Sequence, residues 1–201
     1  MGWDGRTMNL TIYIDSAEQH PFTFTGLRSD SDRKYTKLAV DIEHRCLGRH
    51  PNSLGDYSLA GGLGRCHIER KSMEDCQSTI LGFNDGHRER FECELQNLSQ
   101  VESALVLVEC SLADLLKYAP QYGKKTAQQN AKTLFRSVLA YQQDYRVPWM
   151  FCDGRGLAEQ SAYWFLHRWW EKNLKKSKRQ SASEKARVGL GLSAAELLEL
   201  V

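Results

Sequence analysis

Residues 55–75, with the sequence GDYSLAGGLGRCHIERKSMED, contain the pattern that decides the fold. A glycine-rich segment in the middle, Gly61-Gly-Leu-Gly64, separates two strand-like halves and predicts a β-hairpin. Ser72, followed three residues later by Asp75, is typical of a helix N-terminus. The stretch therefore predicts two antiparallel strands with a helix directly after them.

The hairpin places acidic and basic side chains where they can meet. Asp56 lies on its first arm and Glu69 on its second, and two carboxylates that converge from neighbouring strands bind a hard divalent cation such as Mg²⁺ (or Mn²⁺). Lys71 follows Glu69 by two residues, so both side chains lie on the same face of the strand. With a metal ion, these groups can hydrolyse a phosphodiester bond, the lysine orienting or deprotonating a water or offsetting charge on the phosphate. Asp15, at the end of another strand-like segment, is a candidate third carboxylate and metal ligand.

The same spacing also has an ordinary explanation. Acids near strand ends are usually solvated turn residues, and an Asp followed later by Glu-x-Lys occurs by chance in many chains. The spacing alone therefore leaves open whether these acids bind a metal ion or only water.

Outside the hairpin, strand-like and helix-like segments follow one another in a definite order. Four strands, two helices, a strand, two helices, a strand and a helix predict an α/β protein: a mixed central β-sheet flanked by α-helices in a single domain. Besides the hairpin, strands are predicted at about 10–15, 37–46, 104–110 and 147–152, and helices at about 72–81, 87–101, 111–118, 124–144 and 155–173.

Composition limits the class of protein. A chain of 201 residues with 41% hydrophobic and 10% aromatic residues can bury one substantial core. No apolar segment approaches the roughly 20 residues that span a bilayer, and no signal-peptide core is visible, so we expect no membrane association and a cytoplasmic location. The six cysteines form no CxxC pair and are expected to be free thiols. Structural zinc is disfavoured because the Cys–His pairs at 44–46 and 66–67 lie in strand-like segments.

The net charge of +2 conceals an uneven distribution. Residues 117–146 carry six basic side chains and one acid, residues 172–187 carry seven and one, and the rest of the chain is acidic. This asymmetry favours a polyanionic partner such as DNA. We expect a domain at 8–173 and a basic, mobile tail at 174–201, in which a short terminal helix is one option.

The hairpin motif resembles that of a known family. Gly-Asp followed by Glu-Arg-Lys-x-x-x-Asp resembles the signature of the ERCC4-type nuclease domain of the XPF/MUS81 family, structure-specific DNA endonucleases of the restriction-endonuclease-like, PD-(D/E)XK superfamily. Ile14-Asp15-Ser16-Ala17-Glu18 is similar to the family motif Val-Asp-x-Arg-Glu, and Leu105-Val-Leu-Val-Glu109 to its next buried strand. The resemblance covers about residues 10–173.

The resemblance implies a restriction-endonuclease-like fold and a Mg²⁺- or Mn²⁺-dependent DNA endonuclease. It implies metal ligation by Asp56 and Glu69, with the Arg70 carbonyl contributing, and a role for Lys71 on the attacking water. Asp15, Glu18 and Asp75 would support the site. Ala17 stands where the family motif has an arginine, which puts the hydrogen bonds around Asp15 in doubt.

Basic side chains outside the motif are candidates for contact with nucleic acid. On the predicted helix at 124–144 they form one stripe, for which an ordinary solvated face is the alternative. Those at the start of the predicted helix at 87–101 either contact phosphate or pair with Glu92 and Glu94. The candidates are Arg88, Arg90, Lys125, Lys132, Arg136, Lys175 and Lys176.

Three questions stay open at the level of sequence. A non-catalytic DNA-binding or scaffold subunit that keeps the nuclease fold is the main alternative, and an enzyme acting on RNA is another. No helix-hairpin-helix module is visible, so we expect DNA selection to come from the catalytic domain, the basic segments, a homodimer or a DNA-targeting partner protein. A lone catalytic domain favours a bacterial, archaeal or viral origin.

Overall fold

In the computed structural model, residues 10–28, 37–83 and 86–189 are described, with side chains as far as residue 174. The elements follow one another in the predicted order. Strands in this part of the chain are β1 (Leu10–Asp15), β2 (Val40–Arg45), β3 (Tyr57–Leu59), β4 (Cys66–Lys71), β5 (Ser103–Val108) and β6 (Trp149–Phe151). Helices are α1 (Met73–Leu81), α2 (His87–Leu98), α3 (Leu112–Lys117), α4 (Ala127–Tyr145) and α5 (Arg155–Gly189).

The six strands form one mixed sheet in the order β2-β1-β3-β4-β5-β6. β3 pairs antiparallel with both β1 and β4, whereas the β1–β2, β4–β5 and β5–β6 pairs are parallel. The hairpin predicted from residues 55–75 thus lies in the middle of the sheet. The predicted fold class, a mixed central sheet flanked by helices, is confirmed.

Helices cover the sheet on both faces and create two hydrophobic cores. Strand periodicity is visible in β5, where Leu105 and Leu107 pack with α5 in one core, and Val106 and Val108 pack with α1–α4 in the other. β4 is buried along nearly its whole length, whereas β2 at the edge is mostly exposed. Two covered faces hold β4, which carries the Glu-Arg-Lys motif, rigidly in the sheet.

Side-chain caps begin three of the helices, and those at Ser72 and Ser111 are the ones predicted from the sequence. Ser72 caps α1 by accepting a hydrogen bond from the Asp75 N–H at 3.1 Å, and Ser111 caps α3 in the same way. Thr126 and Gln129 form a complete capping box at the start of α4. Only Ser72 therefore separates the end of β4 from the start of α1, which keeps Asp75 next to the end of that strand.

The predicted end of the last helix at residue 173 is wrong. α5 continues to Gly189, because residues 174–188 contain neither glycine nor proline and are mostly good helix formers. A change to charged residues does not by itself end a helix, and the mobility of residues 174–201 stays a prediction. The expected short terminal helix, and residues 190–201 generally, lie outside the described residues.

All six cysteines are free, and four of them are buried. Among the described helices, none is both long and apolar enough to cross a membrane.

Candidate active site

The candidate site lies at one end of the central strands, where β1 and β4 end and β3 begins. The backbone joins the three strands there: the Asp15 N–H donates to the Asp56 carbonyl, and the Asp56 N–H donates to the Ile68 carbonyl, both at 2.8 Å. Gly55, immediately before Asp56, has a φ of +86°, and a Cβ there would lie 2.7 Å from the Ile68 carbonyl oxygen. Only glycine lets the chain pass this close to β4, which explains the Gly-Asp pair.

Asp56 is fixed against the strand that carries the other site residues. Its Oδ2 accepts a hydrogen bond from the Arg70 backbone N–H at 2.8 Å. Within the described residues, Oδ1 accepts none, and the same holds for Glu69 Oε2. Each of the two acids therefore keeps one oxygen for a ligand.

Lys71 lies between two carboxylates. Its Nζ donates to Glu69 Oε1 at 3.0 Å and to Asp75 Oδ2 at 3.1 Å, and it lies 4.4 Å from the centroid of the Phe91 ring. The side chains of Glu69 and Lys71 are each only 7% exposed. The two-residue spacing thus places them in direct contact, as strand periodicity requires.

The acids of the site repel one another in this buried position. Burial, together with the charge of Glu18, raises the pKa of Asp56 to about 7. Burial and the charge of Asp56 raise the pKa of Glu69 well above its usual value. Burial opposes the charge on Lys71, but the neighbouring carboxylates of Glu69 and Asp75 outweigh it and raise the pKa of that ammonium. The lysine therefore stays protonated, and its contact with Glu69 offsets only part of the repulsion, because the pKa values of both acids remain raised.

The donor set fits a divalent cation of the Mg²⁺ type. Such an ion is commonly held by one or two carboxylates, with water and substrate phosphate completing its shell. Asp56 and Glu69 supply two carboxylate oxygens with no protein donor, and a cation would relieve the repulsion that raises their pKa values. Nowhere in the described part of the chain do three or more His, Cys, Asp or Glu side chains converge on one metal position.

The Asp15 side chain makes its hydrogen bonds to loop residues rather than to Asp56 or Glu69. Its Oδ2 accepts a hydrogen bond from the Leu47 N–H at 2.7 Å, and its Oδ1 from the Ala17 N–H at 2.7 Å. Arg49 donates to both oxygens, at 3.1 and 3.3 Å. The geometry places Asp15 in a supporting position, and Arg49 provides the guanidinium contact that Ala17 cannot. Nothing in the sequence indicated Arg49, because its contact depends on the fold of the loop after β2.

Arg70 lies at the centre of an ion-pair network beside the acids. Its guanidinium donates to both oxygens of Glu18, at 2.9 and 3.1 Å, and to Glu109 at 3.0 Å. Glu109 also accepts from Arg155 at 2.7 Å, and Arg155 continues to the carbonyl oxygens of residues 20 and 21. The supporting role predicted for Glu18 is consistent with these contacts. The sequence analysis predicted no role at the site for Glu109, which it named only as part of a strand motif, or for Arg155. Their partners are 39 or more residues away in the chain, so no local pattern indicates these contacts.

A cleft of about 710 Å³ opens beside these groups. Its wall includes Asp56, Asp75, Arg70 and Arg155. The cleft therefore brings solvent and any ligand to Asp56, while Glu69 and Lys71 lie behind its surface.

The predicted nucleic-acid contacts lie in several places. Arg88 pairs with Glu92 at 2.9 Å, as the surface ion-pair alternative predicted, whereas Glu94 bonds elsewhere. Arg90 is exposed at the start of α2. The remaining candidates are Lys125, Lys132 and Arg136, all exposed at or on α4, and Lys175 and Lys176 on α5, whose side chains lie outside the described ones.

Comparison with solved structures shows the same fold at low sequence identity. XPF from Aeropyrum pernix aligns with a TM-score of 0.53 and 17% identity, over 91% of this chain and 75% of that chain. A structure described as XPF from Aeropyrum pernix in complex with DNA aligns with a TM-score of 0.52 and 15% identity, over 82% of this chain and 66% of that one. No protein-family model and no curated protein matches the sequence. The chain therefore has the restriction-endonuclease-like α/β fold of these XPF structures.

Proposed function

We propose that this protein is a divalent-metal-dependent endonuclease that hydrolyses phosphodiester bonds in DNA. The observation that carries the proposal is the pair of carboxylates, Asp56 directly before β3 and Glu69 on the adjacent strand β4, beside the buried ammonium of Lys71. A carboxylate pair and a lysine are the groups that metal-assisted phosphate hydrolysis needs, and here Asp56 lies at the wall of a cleft with Glu69 and Lys71 behind it. The likeness of the fold to XPF adds support.

The acids provide the metal-binding function. Asp56 and Glu69 would hold Mg²⁺ or Mn²⁺, together with the Arg70 carbonyl and water. When bound, the ion polarises the phosphoryl oxygen and activates the attacking water. Asp15, Glu18 and Arg70 keep the acids in place through the hydrogen bonds described above.

Lys71 acts as a cation and hydrogen-bond donor. Because the neighbouring carboxylates keep its pKa above the usual value, it does not lose its proton near neutral pH. Of the roles predicted from the sequence, orienting the water and offsetting phosphate charge use this protonated form, whereas deprotonating the water would need the neutral amine. Its contact with Asp75 at 3.1 Å fixes the direction of the ammonium.

DNA is the proposed substrate because basic side chains are concentrated in two segments, residues 117–146 and 172–187, while the rest of the chain is acidic. Lys132 and Arg136 are exposed on α4, one turn apart. The structural neighbour solved in complex with DNA supports the same class of ligand. A preference for branched, flapped or partly single-stranded DNA is part of the proposal, and so is a homodimer or a DNA-targeting partner that selects the site.

A cleavage panel tests the proposal. Duplex, single-stranded, forked, flapped and four-way DNA are incubated with the protein and Mg²⁺ or Mn²⁺, with a matching RNA alongside. We expect cleavage that requires the metal and is lost in Asp56→Asn and Lys71→Met, both of which keep the size of the side chain. Asp41→Asn, an exposed acid on the edge strand β2, is the matched control and should cut like the wild type.

Two outcomes contradict the proposal. If Asp56→Asn cuts as well as the wild type, the carboxylate pair is not the catalytic centre. If the folded wild type binds DNA but neither cuts it nor takes up Mn²⁺, the protein is instead a scaffold that keeps the nuclease fold. Cleavage of the RNA alone would correct the substrate and leave the site in place.

A further inference from the structure

We propose that Glu94 on α2 is a positioning residue of the metal site, which holds the Gly55–Asp56 turn in place and adds negative charge to the acid pair. The inference rests on the proposed function and assigns a role to a residue that the sequence suggested only as a surface ion-pair partner. Three kinds of observation carry it: hydrogen bonds, electrostatic proximity and the packing of α2 against the loop.

The hydrogen bonds join Glu94 to the turn that carries Asp56. Glu94 Oε1 accepts from the Ser53 hydroxyl at 2.6 Å and from the Gly55 N–H at 3.0 Å. On its other side Gly55 lies close to β4, since a Cβ added there would be 2.7 Å from the Ile68 carbonyl oxygen, and the Asp56 N–H donates to that same oxygen at 2.8 Å. The turn is therefore held between β4 on one side and a carboxylate of α2 on the other.

The charge of Glu94 reaches the proposed ligands. It contributes to the raised pKa of both Asp56 and Glu69, and to that of Lys71. Glu94 Oε2, like one oxygen of each proposed ligand, accepts no hydrogen bond within the described residues. A third carboxylate whose charge reaches both acids favours a bound divalent cation over an empty site. Its second oxygen can also accept a hydrogen bond from a water bound to that cation.

Neighbouring side chains of α2 bind the same loop without carrying charge, and they provide a control. Asn97 Nδ2 donates to the carbonyl oxygens of Pro51 and Ser53, at 2.7 and 3.0 Å. It lies one turn further along the helix from Glu94. A variant of Asn97 therefore removes support for the loop but leaves the charge at the site unchanged.

Calorimetric titration of Mn²⁺ into the DNA-free protein tests the inference, together with the melting temperature in the presence of a chelator. Glu94→Gln keeps an oxygen that accepts from Ser53 and Gly55, and removes only the charge. We expect roughly 10- to 100-fold weaker Mn²⁺ binding and, without metal, an equal or higher melting temperature, because one of the mutually repelling acids is gone. Asn97→Ala should show the reverse: a lower melting temperature and a dissociation constant within about twofold of the wild type.

Each contrary result has a definite meaning. Unchanged Mn²⁺ affinity in Glu94→Gln, or weaker binding accompanied by a loss of stability like that of Asn97→Ala, overturns the role of Glu94. If Asp56→Asn abolishes Mn²⁺ binding while Glu94→Gln does not alter it, only this inference fails. If the wild type takes up no Mn²⁺, the inference fails together with the proposed metal site.

Discussion

Raising the pH should destabilise the metal-free protein, and replacing Asp56 by asparagine should remove much of that effect. Burial, reinforced by the charge of Glu18, raises the pKa of Asp56 from 3.8 to about 7. Between these two values the native state holds a proton that the unfolded state has already released. The free energy of unfolding must therefore fall as the pH rises through this window.

The size of the effect follows from the width of the window. In the native state Asp56 keeps its proton up to about pH 7. Of the range from about pH 5 to about pH 8, roughly two pH units therefore contribute, and each lowers the free energy of unfolding by about 1.4 kcal/mol. Asp56 should thus cost the protein about 3 kcal/mol over this range. Glu69 adds to the fall, since its pKa is raised by burial and by Asp56, so the two carboxyls titrate as a pair.

The assay is chemical denaturation of the wild type and of Asp56→Asn at both pH values, with a chelator present. The variant keeps an oxygen for the Arg70 N–H and removes the titrating group. We expect its free energy of unfolding to change less with pH than that of the wild type, by about 3 kcal/mol or more. Asp41→Asn on the exposed edge strand should behave like the wild type. Saturating Mg²⁺ should stabilise the wild type mainly at the higher pH, where binding no longer has to displace protons.

Parallel pH profiles for wild type and Asp56→Asn would refute this reasoning. They would mean that Asp56 is ionised in the native state across the whole range. Burial and the neighbouring acids would then not raise its pKa. The argument that a cation is needed to relieve repulsion between the acids would lose its support.

Two further predictions concern stability and are measured by the same denaturation assay. Arg70→Met should lower the free energy of unfolding by about 3–5 kcal/mol, because it leaves the buried carboxylate of Glu18 without its cation; Arg65→Met, which removes an exposed ion pair with Glu102, should lower it far less. A loss for Arg70→Met no larger than that for Arg65→Met would show that the network contributes little. Gly55→Ala should cost about 2–3 kcal/mol more than Gly61→Ala, because both glycines have positive φ but only the first would collide with β4. Equal losses in the two alanine variants would mean that the turn can shift away from the strand.

Much of the secondary structure follows from local features of the sequence. The order of the eleven elements in the described residues was predicted from hydrophobic periodicity, turn residues and helix caps. The end of α5 was not, because the change to a basic composition resembles a tail, although nothing in the segment breaks a helix. A change of composition indicates where a chain becomes polar, but only a residue that cannot continue the helix indicates where the helix ends.

The three central residues of the candidate site were also predictable from local features of the sequence. Asp56, Glu69 and Lys71 lie within one hairpin, so strand pairing and a period of two residues bring them together without help from the rest of the chain. Their proximity therefore follows from a short stretch of sequence.

The surroundings of the site were decided by the tertiary structure. Arg49 binds Asp15 across 34 residues of chain, and Glu94 binds Gly55 across 39. Such contacts depend on how α2 and the loops pack against the sheet, and no local periodicity encodes that packing. Local sequence was enough to indicate which acidic and basic groups form the proposed site, whereas only the folded chain shows which side chains hold them in place and which charges they experience.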